Sequence, residues 1–133
     1  MSVILHIDLG SGVAAYRQVV DGLRAMLVAG ELRPGDRLPP VRQLAADLTV
    51  HHNTVAEAYR TLAQEGWLDL RRGRGATVVA RQRPRPEPGQ AERFTQRVGE
   101  LAAQALAGGL GPQQVAAILQ GAARDLLAEG RFS

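Results

Sequence analysis

The chain has 133 residues, 45% apolar, 4% aromatic and 22% charged, with a net charge of +3 and no cysteine. That length suits one compact domain with an appendage or two small ones, and it is short for a typical α/β enzyme. Disulfides and thiolate metal sites are excluded, and no apolar run approaches the roughly 18–20 residues that span a bilayer.

In chain order, Val13, Tyr16, Val19, Val20, Leu23, Met26 and Leu27 recur at helical spacing, and Gly30 stands where a C-terminal cap belongs. Arg33-Pro34-Gly35-Asp36 reads as a turn. Pro39-Pro40 opens a second, short helix with Val41, Leu44, Ala45 and Leu48 on one face, proline being welcome at the first helical position. After Thr49-Val50-His51, a third helix turns Val55, Ala58, Tyr59 and Leu62 inward and ends at Gly66. The period then changes. Residues 67–71 and 76–79 alternate around Arg72-Gly73-Arg74-Gly75, which predicts a β-hairpin with a cationic, glycine-bearing tip. Two helices joined by a three-residue turn and followed by a hairpin make a winged helix-turn-helix.

The stretch RQRPRPEPG (81–89) predicts an extended, semi-rigid linker. Beyond it, Phe94, Val98, Leu101, Ala102, Ala105 and Leu106 mark a helix stopped by Gly108-Gly109. Gly111-Pro112 starts another, with Val115, Ile118, Leu119, Ala122, Leu126 and Leu127 on its face. Two such helices cannot bury both stripes by themselves and need a partner. The expected fold class is mostly α with a small β-hairpin. The expected divisions are a winged helix-turn-helix at 1–80, a Pro/Arg-rich linker at 81–90 and a two-helix region at 91–133.

All 16 basic residues are arginine, whose planar fork suits phosphates and guanine edges. Six of them (71, 72, 74, 81, 83, 85) fall between 71 and 85 without an acid among them, a local footprint for a polyanion. A helix N-terminus reaches deepest into a major groove, and here it carries His51, His52, Asn53 and Thr54, all hydrogen-bonding residues. His51 or Asn53 could equally cap the helix. Arg42, near the start of the second helix, is a candidate phosphate or base ligand, or else an ion-pair partner of Asp36 or Asp47. Arg72, Gly73, Arg74 and Gly75 suit a minor groove, glycine allowing close approach and arginine favouring its negative potential.

The stretch LRPGDRLPPVRQLAADLTVHHNTVAEAYRTLAQEGWLDLRRGRGATVV (32–79) resembles the winged-helix domain of the GntR family of bacterial transcription regulators almost end to end. With the preceding helix, about 70 residues are covered. The two-helix tail and His52-Asn53-Thr54-Val55 resemble the YtrA subfamily, whose short tail dimerises. The resemblance implies operator contacts from Arg42, His51, His52, Asn53, Thr54, Arg72, Gly73 and Gly75. Pro40 replaces the family's capping serine, removing a cap of roughly 1 kcal/mol. His52 and Ala56 stand where many relatives outside the subfamily carry arginines.

The function expected from these features is that of a sequence-specific repressor, homodimeric through its C-terminal helices and bound to a palindromic operator in double-stranded DNA. A small-molecule effector of unknown identity and site is compatible with the resemblance. The alternative, a winged helix that binds protein or RNA, predicts an apolar outer face on 52–65, yet Asn53, Glu57, Arg60, Thr61 and Gln64 make it polar. An enzyme is not expected. Only His6, His51 and His52 are present, with no HExxH pattern and no glycine-rich phosphate loop of the required spacing. No metal or other cofactor is expected. The segment MSVILHIDLG lacks the basic region and cleavage site of a signal peptide, so the expected location is the cytoplasm, without a membrane partner.

Overall fold

A computed structural model describes Val3, residues 5–71 and residues 75–128. It divides into two compact units, Met1–Gln82 and Arg83–Ser133.

In the first unit, helix α1 (Ala15–Ala29) buries Val19, Val20, Leu23 and Leu27 on one face. Val13, expected on that stripe, lies before the helix and is exposed, because the chain enters α1 only after Ala14. Gly30 ends α1 at φ 73°, a left-handed conformation that costs glycine nothing. The turn that follows is closed twice: Asp36 N–H donates to the Arg33 carbonyl at 2.9 Å, and Arg33 N–H to Asp36 Oδ2 at 2.8 Å.

Helix α2 (Val41–Leu48) starts one residue later than expected, with Pro40 as its N-cap rather than its first helical residue. No side chain caps it, the consequence of proline standing where the family has serine. Thr49 ends α2 at φ 58° and ψ 47°, and Val50 N–H closes the turn on the Ala45 carbonyl at 3.0 Å. Helix α3 (His52–Gln64) buries Val55, Ala58, Tyr59 and Leu62 and packs against both α1 and α2.

The hairpin strands β1 (Leu68–Asp69) and β2 (Thr77–Val78) are shorter than the alternation predicts. They pair antiparallel, Leu68 opposite Val78 and Asp69 opposite Thr77. A bridge from Arg37 to Thr77 extends the ladder on the other side of β2, an arrangement not expected from the sequence. Val78 N–H donates to the Asp36 carbonyl, and Leu38 N–H to the Ala76 carbonyl, each at 2.8 Å. The segment between α1 and α2 thus anchors the wing, and it compensates for strands too short to hold themselves.

The core joins all these elements, and no polar or charged side chain is buried among the described residues. Tyr59 is buried with its hydroxyl donating to the Pro39 carbonyl at 2.7 Å, and burial pushes its phenol well above the ordinary value. The segment before α1 packs Leu5 and Ile7 on the core, and Gly22 makes room for Leu5. Arg24 on α1 meets Glu65 in a two-pronged bond, Nε to Oε1 at 3.0 Å and Nη2 to Oε2 at 2.6 Å. That bond holds the Glu65 carboxyl below the ordinary carboxylate value.

In the second unit, α4 (Gln90–Ala107) and α5 (Pro112–Ala128) are two helices joined by a short glycine-bearing turn. Proline takes the first position of α5, where its missing N–H costs nothing. No residue of α4 is buried. Phe94 is 68% exposed, Ile118 60% and Leu127 82%, so among the described residues these parts of the apolar stripes remain uncovered. No helix of the described residues is long and apolar enough to cross a membrane.

A β-branched residue in the left-handed region costs about 1–2 kcal/mol, and glycine returns roughly 0.5–1 kcal/mol of that as lost backbone entropy. Thr49→Gly is therefore expected to stabilise the first unit by about 0.5–1 kcal/mol. Urea unfolding followed by the fluorescence of Trp67, the single tryptophan, measures this. An unchanged or lowered midpoint would show that Thr49 is unstrained.

Candidate nucleic-acid interface

The two helices of the helix-turn-helix meet at a small polar surface. α3 presents its N-terminus there because its inner stripe begins only at Val55, leaving the first turn unburied. His51 is the N-cap: its Nδ1 accepts the Asn53 N–H at 3.1 Å. The capping role left open for His51 is thus the one it takes. The Thr54 N–H donates to the His51 carbonyl at 3.0 Å, continuing the turn. The His51 and His52 rings stack with centroids 4.4 Å apart, facing one another rather than converging on a common point.

Lost hydration, the nearby Arg42 guanidinium and His51 together lower the pKa of His52 below the ordinary imidazole value. Arg42, ten positions earlier in the sequence, thus acts electrostatically on the start of α3. Arg42 is exposed, and among the described residues it forms no ion pair with Asp36 or Asp47. Asn53 is also exposed, and Thr54 is half-buried. Of the five, Arg42, His51 and Asn53 are therefore exposed, and His52 and Thr54 are half-buried.

On the wing, Gly75 is exposed at φ 65° with no atom near the position a Cβ would take. Arg72, Gly73 and Arg74, expected at the tip, lie outside the described residues. Arg71 is exposed and pairs through Nε with Asp69 Oδ2 at 2.9 Å.

The six-arginine footprint needs one correction. Arg81 is not a free surface cation: its guanidinium lies 4.6 Å from the Trp67 ring centroid, and its Nε donates to the Glu65 carbonyl at 2.7 Å. It fastens the start of the linker to the end of α3. Arg60 is not among the residues expected at the interface, yet it is exposed on α3 two turns beyond Asn53. Its spacing of seven from Asn53 is the signal that puts both on one helix face.

The gntR family of bacterial regulatory proteins matches residues 15–78. The transcriptional repressor YtrA of Bacillus subtilis is 36% identical over 75 residues, which cover 56% of this chain and 58% of that protein. The vitamin B6 salvage pathway transcriptional repressor PtsJ of Salmonella typhimurium is 47% identical over 62 residues, 47% of this chain and 14% of that protein. The chain thus spans less than two thirds of the length of these curated relatives. Among solved structures, YtrA from Sulfolobus acidocaldarius, a GntR-family transcription factor, is 30% identical with a TM-score of 0.54, covering 91% of this chain and 97% of that one. A transcriptional antiterminator from Listeria monocytogenes shares the fold, at 20% identity and a TM-score of 0.69 over 92% of both chains. Matched through its winged helix and, by the Sulfolobus structure, over nearly its whole length, the chain belongs to the gntR family of bacterial regulatory proteins.

Proposed function

We propose that the chain is a sequence-specific DNA-binding transcriptional repressor that acts in the cytoplasm on a palindromic operator as a homodimer. The observation that carries this reading is the polar first turn of α3, with His51 and Asn53 exposed, together with the exposed Arg42 near the start of α2. Asparagine can bridge the N6 and N7 atoms of adenine, while Arg42 and the wing arginines engage phosphates or the minor groove. The names of the Bacillus and Salmonella relatives, both repressors, support the same assignment. Residues 1–80 would bind DNA, 81–90 would tether, and 91–133 would dimerise and receive any effector signal.

Dimerisation is supported by the apolar stripes of the second unit. Leu101, Leu110, Ile118 and Leu119 line a groove of about 270 Å³ between α4 and α5. Its lining is aliphatic, which suits side chains of a second copy better than a polar effector. Two linked half-sites one DNA turn apart, roughly 34–36 Å, would then be read together.

A duplex selected from a random pool should bind with a steep negative slope of log affinity on log salt, because each neutralised phosphate releases counterions. Asn53→Ala should cost about 1–3 kcal/mol on the selected duplex and little on random DNA. Equal losses on both would remove Asn53 from base reading, and binding that ignores salt would overturn the assignment.

A second expectation concerns pH. In the free protein the charged form of His52 is disfavoured, whereas a phosphate nearby favours it, so complex formation takes up a proton. Affinity should therefore rise as pH falls, by about three- to tenfold between pH 8 and pH 6, taking tenfold per pKa unit. His52→Gln should flatten the profile while His51 still caps α3.

Placing a carboxylate on the apolar stripe tests assembly. Ile118→Glu should sediment as a monomer and lose at least tenfold in operator affinity, since the second half-site is no longer linked. A monomeric parent protein at micromolar concentration would refute the dimer.

A further inference from the structure

Between α3 and the wing runs a groove of about 330 Å³. Its floor is formed by Ala56, Tyr59, Leu70 and Ala76, and Arg60 and Arg71 line it together with them. The half-buried Ala56 helps to keep it open, because a longer side chain at that position would fill it. Both arginines are exposed. Arg60 has no ion pair among the described residues, and Arg71 has only a surface pair with Asp69, of a kind that contributes little.

We propose that this groove seats the sugar–phosphate backbone of one DNA strand, clamped by Arg60 from the helix side and Arg71 from the wing side. The inference rests on the reading that α3 enters the major groove and the wing the adjacent minor groove. One strand separates those two grooves, so it must cross the space between the two protein elements. The groove occupies that space, and its charge is opposite to that of the strand. Its apolar floor, with the Tyr59 hydroxyl committed to Pro39, offers no hydrogen-bond code for a base edge, while deoxyribose has an apolar face that such a floor accommodates. Seven residues at 1.5 Å each place Arg60 about 10 Å along α3 from Asn53, too far to share its base pair and near enough to hold the adjoining backbone. Arg60 and Arg71 thus set register and affinity without reading sequence.

The test is a salt titration of the full chain on the selected duplex and on random DNA. Each arginine that neutralises a phosphate contributes about 0.9 to the log–log slope, equivalent to about eightfold in affinity at 0.1 M salt relative to 1 M. Arg60→Gln and Arg71→Gln should each lower the slope by about one and weaken both duplexes equally. The double variant should lower it by about two, and Arg60→Lys should keep most of it. Ala56→Leu, which obstructs the groove without changing charge, should weaken both duplexes as well. Unfolding of each variant followed by Trp67 fluorescence separates lost contacts from lost fold.

A slope unchanged in Arg60→Gln, with the parent binding normally, would overturn the clamp while leaving the α3 reading intact. A loss confined to one base pair of the selected duplex would also overturn it, by making Arg60 a base reader. If the parent itself fails to bind duplex DNA, it is the underlying reading that has failed.

Discussion

The structure depends on the burial of one face of α3. Val55, Ala58, Tyr59 and Leu62 lie at helical spacing and are almost wholly removed from water between α1 and α2. Each large side chain of this kind contributes about 1.5–3 kcal/mol on burial, so the rotation of the helix about its axis is strongly determined. Everything polar on α3 then has to face the other way. The exposed face that carries Asn53, Glu57, Arg60 and Gln64 is the complement of the packed one, and no separate device is needed to orient it.

The two ends of α3 are finished differently, and each finish has a consequence. At the start, a histidine rather than serine or aspartate satisfies the Asn53 N–H, which keeps the tip free of negative charge and leaves it compatible with a polyanion. At the end, Glu65 is held by Arg24 and accepts the Trp67 indole N–H at 3.2 Å through its carboxylate, while its carbonyl accepts from Arg81. One residue thereby joins α1, the entry to the wing and the first residue of the tether. The wing gains its footing from this point and from the Asp36–Leu38 segment, which compensates for strands of only two residues.

The second unit follows another logic. Its helices carry as many large apolar residues as a folded pair could use, yet in one chain most of them face water. Helix propensity and the proline and glycine stops define α4 and α5, while packing within the described residues buries little of their apolar surface. If a second copy covers that surface, as proposed, folding and assembly of this region are linked.

Much of this architecture was legible in the residues. The five helices follow from apolar spacing and from the stops at Gly30, Gly66 and Gly108, and the hairpin from the change of period after Gly66. The exposure of His51 and Asn53 follows from the inner stripe beginning at Val55. Less accessible were the left-handed Thr49, the ladder between Arg37 and Thr77, and the diversion of Arg81 from the cationic footprint onto Trp67. The first is a local helix end that the residue type does not announce, and the other two are contacts between segments 14 to 40 residues apart, of which periodicity carries no trace. Local sequence thus determined which segments become helices and which of their faces are apolar, because burial, caps and turns act over a few residues. Only the tertiary structure decided that Arg60 and Arg71 line a common groove and that Arg81 serves as a fastening, since these depend on how separate elements are brought together.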